Sequence, residues 1–281
     1  TAPALERLLA RGATHRKVAA TAICLVLAAL VARTAVRAQD YSSRLAFFGN
    51  AHEKAPRNAR VIYNLGLSHL EQGRCEQAVP LMLEAASYLS RRSPMSRGNL
   101  VAFMNCAERM GRGDVVDTLV AEMLRRWPGS PLGLSWRGRR HLESGRLDEA
   151  VHDLTLAVTR FGGRDPDTVA MLAMALSHSG RPQDALDVLD AYPADVRTHC
   201  EQRVEALIRL GVDSYDAAFQ EVNGCLDRWP DSVSLLASRA SLYLSMGDRA
   251  RADRDIARLG ELGAQPGIIQ RLEKLKGLRH E

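Results

Sequence analysis

The sequence predicts an all-α protein, one apolar helix followed by a solenoid of repeated helix pairs. Three observations predict it. Ala and Leu dominate while aromatic residues make up only 5%, a balance that favours helices over sheets. Residues 18–32 read VAATAICLVLAALVA, without a charge. A Gly followed about five residues later by a small residue recurs along the rest of the chain. Gly73 precedes Ala78, Gly145 precedes Ala150, Gly180 precedes Ala185 and Gly247 precedes Ala252. Gly111 before Val116 is a looser instance, and Gly211 before Ala218 fits with two residues inserted. The Gly spacings are 38, 34, 35, 31 and 36, the period of helix-pair repeat arrays.

The first element is a basic flank, residues 1–17, before the apolar segment at 18–36. Nearly 20 residues of this kind match the length of a bilayer-crossing helix, and Arg33 near one end can snorkel to the headgroups. A cleaved signal segment, with Val36-Arg37-Ala38 before Gln39 as its small-residue site, is an alternative. The net charge of +5 and pI near 9.1 belong to this region. Arg7, Arg11, Arg16, Lys17, Arg33 and Arg37 stand against Glu6 alone, which leaves 32 basic and 32 acidic groups in residues 38–281. The excess is the flank of an apolar helix, so no nucleic-acid partner is expected. Flanking charge of +3 before and +2 after the segment points to a cytoplasmic N-terminus and a periplasmic, extracytoplasmic C-terminal domain.

Residues 37–58 are expected to form a linking helix. The helix pairs follow at 59–92, 97–130, 131–164, 166–194, 197–231 and 233–265. In each, Gly permits the left-handed turn after the first helix, and a small residue early in the second lets the two approach. Trp127-Pro128 and Trp229-Pro230 end two units, because Pro cannot continue a helix. Residues 266–281 form a capping helix with Leu272, Leu275 and Leu278 on one face, as terminal repeats require a polar outer side.

This pattern resembles the tetratricopeptide-repeat (TPR) family. Leu65-Gly66 stands where that family has its Leu-Gly pair, and Ala78 and Ala85 match its small positions. Gly138, Ala150 and Ala157 match in the third unit, Ala173 and Ala185 in the fourth, and Ala240, Tyr243 and Ala252 in the sixth. The resemblance implies a concave groove lined by first helices and a protein or peptide partner. Its groove positions fall on Arg60, Tyr63 and Leu67, then Val101, Asn105 and Glu108, then Leu132, Ser135 and Arg139. Later units supply Asp167, Ala170, Met174, Glu201, Glu205, Ser234 and Ser241. The Lys and Asn set with which some TPR co-chaperones clamp a C-terminal carboxylate is absent; only Asn64 and Asn105 match it, and Leu67 stands where a second Asn would be.

The junction from Arg33-Thr34 through Asp40-Tyr41 to His52-Glu53-Lys54-Ala55-Pro56-Arg57 resembles another boundary. It looks like the entry of the last membrane helix of GT-C type glycosyltransferases into a C-terminal TPR domain. Thr1 in place of Met fits a piece of such a protein. No catalytic carboxylate of that family lies in this sequence. The expected function is therefore a non-enzymatic, membrane-tethered scaffold; the alternatives are the TPR part of such a glycosyltransferase and a secreted TPR protein.

A search for chemistry supports that reading. No His pair has metalloprotease spacing, and the five cysteines have no C-x-x-C spacing, so neither a metal nor a cofactor is expected. The odd number and spacing of the cysteines do not read as a disulfide framework. Cys75 and Cys106 on neighbouring helices leave pairing in an oxidising compartment open as an alternative, and Cys200 and Cys225 read as buried core residues. His199-Cys200 lacks a third orienting group. Asp148-Glu149, Asp165 with Asp167, and Asp253 with Asp255 read as helix caps and solvated faces. Phe161-Gly162-Gly163-Arg164 lacks the strand and Lys-Ser or Lys-Thr pair of a phosphate loop.

Overall fold

The computed structural model describes residues 13–88 and 95–277. Most of the basic flank and Leu278 lie outside the described residues. Fifteen α-helices and one 3₁₀ turn make up the described secondary structure, without a strand among them. The chain divides into two compact units, Thr1–Glu122 and Met123–Glu281.

In the first unit, α1 (Ala13–Asp40) contains one stretch, Lys17–Val36, long and apolar enough to cross a membrane, with mean hydropathy 2.1 and none of it buried in the protein. A short turn leads to α2 (Arg44–Lys54), capped by Ser43, whose hydroxyl accepts from the Ala46 amide. Then come α3 (Ala59–Glu71) and α4 (Cys75–Tyr88), which pack face to face at Gly66. A Cβ there would lie 3.3 Å from the Ala78 carbonyl oxygen and 3.3 Å from Leu81 Cβ. The unit continues with α5 (Arg97–Arg109) and enters α6 (Gly113–Arg126). Ile62, Met82, Leu100, Phe103, Met104 and Leu119 are completely buried and form its core.

In the second unit, three pairs follow one plan: α7 (Pro131–Glu143) with α8 (Leu147–Phe161), α9 (Pro166–His178) with α10 (Pro182–Ala191), and α13 (Val233–Ser245) with α14 (Arg249–Glu261). Between them lie α11 (Arg197–Leu210) and α12 (Tyr215–Arg228), joined through the 3₁₀ turn Val212–Ser214. The turn accommodates the extra residues after Gly211, whose φ of 105° departs from the tight turn at Gly145, φ 72°. The final helix is α15 (Pro266–Gly277), with Leu272 buried against its neighbours. In every second helix the fourth residue is small or β-branched and fully or almost fully buried: Ala78, Val116, Ala150, Ala185, Ala218 and Ala252. A larger side chain there would hold the partner helix away, which is the steric reason for the repeat.

The cysteines correct the expectation of no disulfide framework: the Cys75–Cys106 pairing left open as an alternative is formed, and Cys200 and Cys225 are not buried thiols. Cys75 is bonded to Cys106, and Cys200 to Cys225; only Cys24 is free. The sequence separations of 31 and 25 correspond to no compact motif. They arise because packing brings α4 to α5, and α11 to α12, at those points.

Asp255 is likewise not on a solvated face. It is buried, and Arg239 donates to both of its carboxylate oxygens, at 2.9 and 2.7 Å. Asp253 is exposed and pairs with Lys276.

Candidate binding groove

The residues placed by register on the expected groove do not all reach an open surface. In the first unit Arg60, Asn105 and Glu108 are exposed and Val101 is half-buried. Tyr63 and Leu67 are buried, and the Tyr63 hydroxyl accepts a 2.7 Å hydrogen bond from Asn99 Nδ2 on α5. Tyr63 thus joins two first helices instead of facing solvent. In the second unit Ser135 and Ala170 are also buried, and Ser135 is hydrogen-bonded to Thr168 across α7 and α9 at 2.7 Å. Asp167 is exposed, and Leu132 and Met174 are half-buried. The Arg139 guanidinium lies 4.0 Å from the centre of the Trp136 ring, a cation–π stack.

Glu201, Glu205, Ser234 and Ser241 come together. They line a groove of about 630 Å³ between α11, α13 and α15. From α11, Arg197, Glu201, Glu205 and Ile208 recur every three to four residues and so share a face, and all four reach the groove. Val233, Ser234, Ala237, Ser238 and Ser241 do the same on α13, and Ile268, Arg271, Leu272 and Leu275 on α15. The register had supplied only two residues from each of α11 and α13 and none from α15. Continuing the stripe of α11 back four residues from Glu201 to Arg197 and forward three from Glu205 to Ile208 would have found the rest of that wall.

The groove has an apolar base, three serine hydroxyls and a charged rim. Glu201 is held in place by the Ser232 hydroxyl at 2.8 Å and lies 3.7 Å from Arg197. Arg209 Nε donates to Glu205 at 2.6 Å. Arg271 is exposed and offers its guanidinium at the opposite wall. Such a surface suits a chain with both apolar and polar side chains.

Elsewhere, Cys200, Glu221 and Cys225 bring ligand atoms within 4.8 Å of one another. The two sulfurs are bonded to each other and do not offer a thiolate pair. The Arg228 guanidinium lies 3.2 Å from Cys200 Sγ, and that of Arg109 lies 3.0 and 3.3 Å from Cys75 and Cys106 Sγ.

Residues 166–191, the whole of α9 and α10, match the tetratricopeptide-repeat family model. The chain folds as a TPR solenoid. A TPR protein from Parabacteroides merdae superimposes with a TM-score of 0.58 over 82% of this chain and 89% of its own, at 16% identity. The APC/C hetero-tetramer Cut9–Hcn1 does so with a TM-score of 0.60, over 84% of this chain and 45% of the other, at 14% identity. In sequence, the chain is 27% identical over 133 residues to cellulose synthase operon protein C of Pseudomonas fluorescens. That match covers 45% of this chain and spans only 10% of the relative's length.

Proposed function

We propose that this TPR chain is a membrane-tethered scaffold that holds a protein or peptide segment in the groove between α11, α13 and α15, outside the cytoplasm. The groove itself carries the reading: three alternate helices, α11, α13 and α15, present one open face with an apolar base and polar rim. The fold supports protein interaction in general, and function is argued here from the site. Tethering rests on the length and exposure of Lys17–Val36. Placement outside the cytoplasm rests on the two disulfides, which persist in oxidising compartments and are reduced in the cytosol.

The test is affinity capture with the full chain from detergent-solubilised envelope, comparing the native groove with Ser234→Arg combined with Ser241→Trp. A Gln220→Trp chain, altered on the exposed side of α12, serves as control. A partner captured by native and control chains and lost from the groove variant supports the reading. Capture unaffected by the groove variant overturns it.

A second reading is favoured by two separate resemblances: the junction to GT-C type glycosyltransferases, and the match to cellulose synthase operon protein C. Here the TPR domain serves a glycan-synthesising membrane machine, and catalysis lies outside these residues. Co-purification of the native full chain with a polysaccharide synthase, and release by the groove variant, would join the two readings.

A further inference from the structure

We infer that Tyr41, Phe47 and Phe48 form an aromatic anchor that seats the start of α2 in the headgroup layer of the bilayer crossed by α1. The inference rests on the membrane-spanning reading of α1 and adds a second lipid-binding element to it. Tyr41 and Phe47 are exposed and Phe48 is half-buried, and contiguous exposed apolar side chains, unlike scattered single ones, mark a contact surface. Their rings form one cluster: Tyr41 and Phe47 centroids are 5.4 Å apart, and Phe47 and Phe48 centroids 5.0 Å.

Chain geometry fixes where this cluster must lie. The apolar stretch ends at Val36, and α1 continues to Asp40. Tyr41 therefore stands about 7.5 Å beyond the last apolar residue, at about 1.5 Å per helical residue. The headgroup region on each side of the hydrocarbon core is about 5–7.5 Å thick, so Tyr41 reaches its outer edge when α1 stands upright and lies within it when α1 tilts. Ser43 then caps α2 and turns the chain, so Phe47 and Phe48 are carried on a helix that begins at the same depth. Aromatic rings are favoured at that boundary because they cover apolar chain ends while tolerating nearby water. Arg44 is tied to Glu71 on α3, which couples the anchored helix to the first repeat.

The experiment uses the full chain in lipid nanodiscs whose acyl chains are brominated either near the headgroup or near the chain end. Phe47→Trp reports on the cluster and Val26→Trp on the middle of α1; the unsubstituted chain supplies the background of Trp127, Trp136 and Trp229. The expected result is loss of the Phe47→Trp emission with shallow bromine, and of the Val26→Trp emission with deep bromine. Quenching of Val26→Trp alone, with Phe47→Trp unquenched by either lipid, overturns the anchor and leaves the membrane helix standing. A Phe47→Trp emission that is blue-shifted but unquenched points to cover by a second chain and overturns it equally. If neither probe is quenched, the membrane reading of α1 fails and the anchor fails with it.

Discussion

Arg137 grips the buried carboxylate of Asp153 across α7 and α8, Nε to Oδ2 at 2.6 Å and Nη2 to Oδ1 at 2.7 Å. Arg239 and Asp255 repeat the arrangement across α13 and α14. Each of the four is the seventh residue of its helix. In both pairs the acid is the buried member, while Arg137 and Arg239 keep 45% and 24% of their side chains exposed. Bidentate geometry makes these strong hydrogen bonds, and removing the arginine strands a buried charge.

Arg137→Met should therefore destabilise the fold by about 1–3 kcal/mol, the cost of a buried acceptor without its charged donor. Urea unfolding near neutral pH measures it. The same change should raise the His141 pKa. Burial is the main cause of its depression, Arg146 and Arg137 add to it, and Asp153, 3.4 Å from Nε2, opposes it. With Arg137 gone, Asp153 acts on His141 with less opposition. An NMR titration in which His141 stays put or moves down would contradict this electrostatic account.

Gly138 and Gly145 are needed for different reasons, and substitution separates them. A Cβ on Gly138 would lie 2.6 Å from Leu154 Cγ and 3.3 Å from the Leu154 backbone nitrogen. Gly138→Ala should cost about 1–3 kcal/mol through overpacking, and Leu154→Ala in the same chain should relieve part of that cost. A Cβ on Gly145 meets nothing within 4 Å, but φ is 72°. Gly145→Ala should cost about 1–2 kcal/mol from left-handed backbone alone, with no relief from Leu154→Ala. Double-mutant cycles read the difference as coupling in one case and additivity in the other.

The contrast explains what the sequence could and could not disclose. A turn glycine and a small residue at a fixed offset are local signals, so the helix-pair solenoid is legible. The Arg137–Asp153 clamp joins residues whose pairing depends on which helix faces touch, and Asp255, beside Asp253, reads as one more surface acid. The Cys200–Cys225 disulfide, spaced 25 residues apart, is hidden for the same reason, and the repeat register could offer Cys75–Cys106 only as an alternative. In the groove, register places Glu201, Glu205, Ser234 and Ser241 along the right walls, yet it also selects Tyr63 and Ser135. Those two are covered because Asn99 and Thr168 on the following first helices reach them.

Stability should fall as pH drops through the ordinary histidine range. His69, His141 and His199 all have pKa values lowered from 6.5, each chiefly by burial. The unfolded chain then takes up protons before the folded one does, so stability is full above the unfolded value and declines as pH falls past it. The decline ends below the folded values. Asp114, held at about 2 by its hydrogen bonds from Arg112, stays ionised through this window and adds nothing to the slope. His199 is buried, with Nε2 3.0 Å from the Pro166 carbonyl oxygen. His199→Gln can keep a donor there without titrating. The urea midpoint should be lower at about pH 5.5 than at about pH 7.5, and His199→Gln should narrow that gap. A gap of unchanged size would assign the pH dependence to other groups.

The disulfides make a prediction about compartment as well as stability. Closing loops of 31 and 25 residues restricts the unfolded chain, worth about 2–4 kcal/mol for each bond. Chain exported to an oxidising compartment and then unfolded without reductant should expose one reactive thiol, Cys24, and all five only after reduction. The two bonds should open in sequence. Cys106 is buried at 1% exposure but its partner Cys75 is partly accessible, whereas Cys200 and Cys225 are both buried, at 5% and 0%. Both pairs have an arginine on a sulfur, Arg109 and Arg228, which favours the departing thiolate in either case, so access decides the order. Limited treatment with a dithiol followed by alkylation should label Cys75 and Cys106 first, as read by peptide mass spectrometry. Alkylation of Cys200 and Cys225 at the same rate would show that local opening of α11 and α12, not burial in the resting fold, controls the exchange.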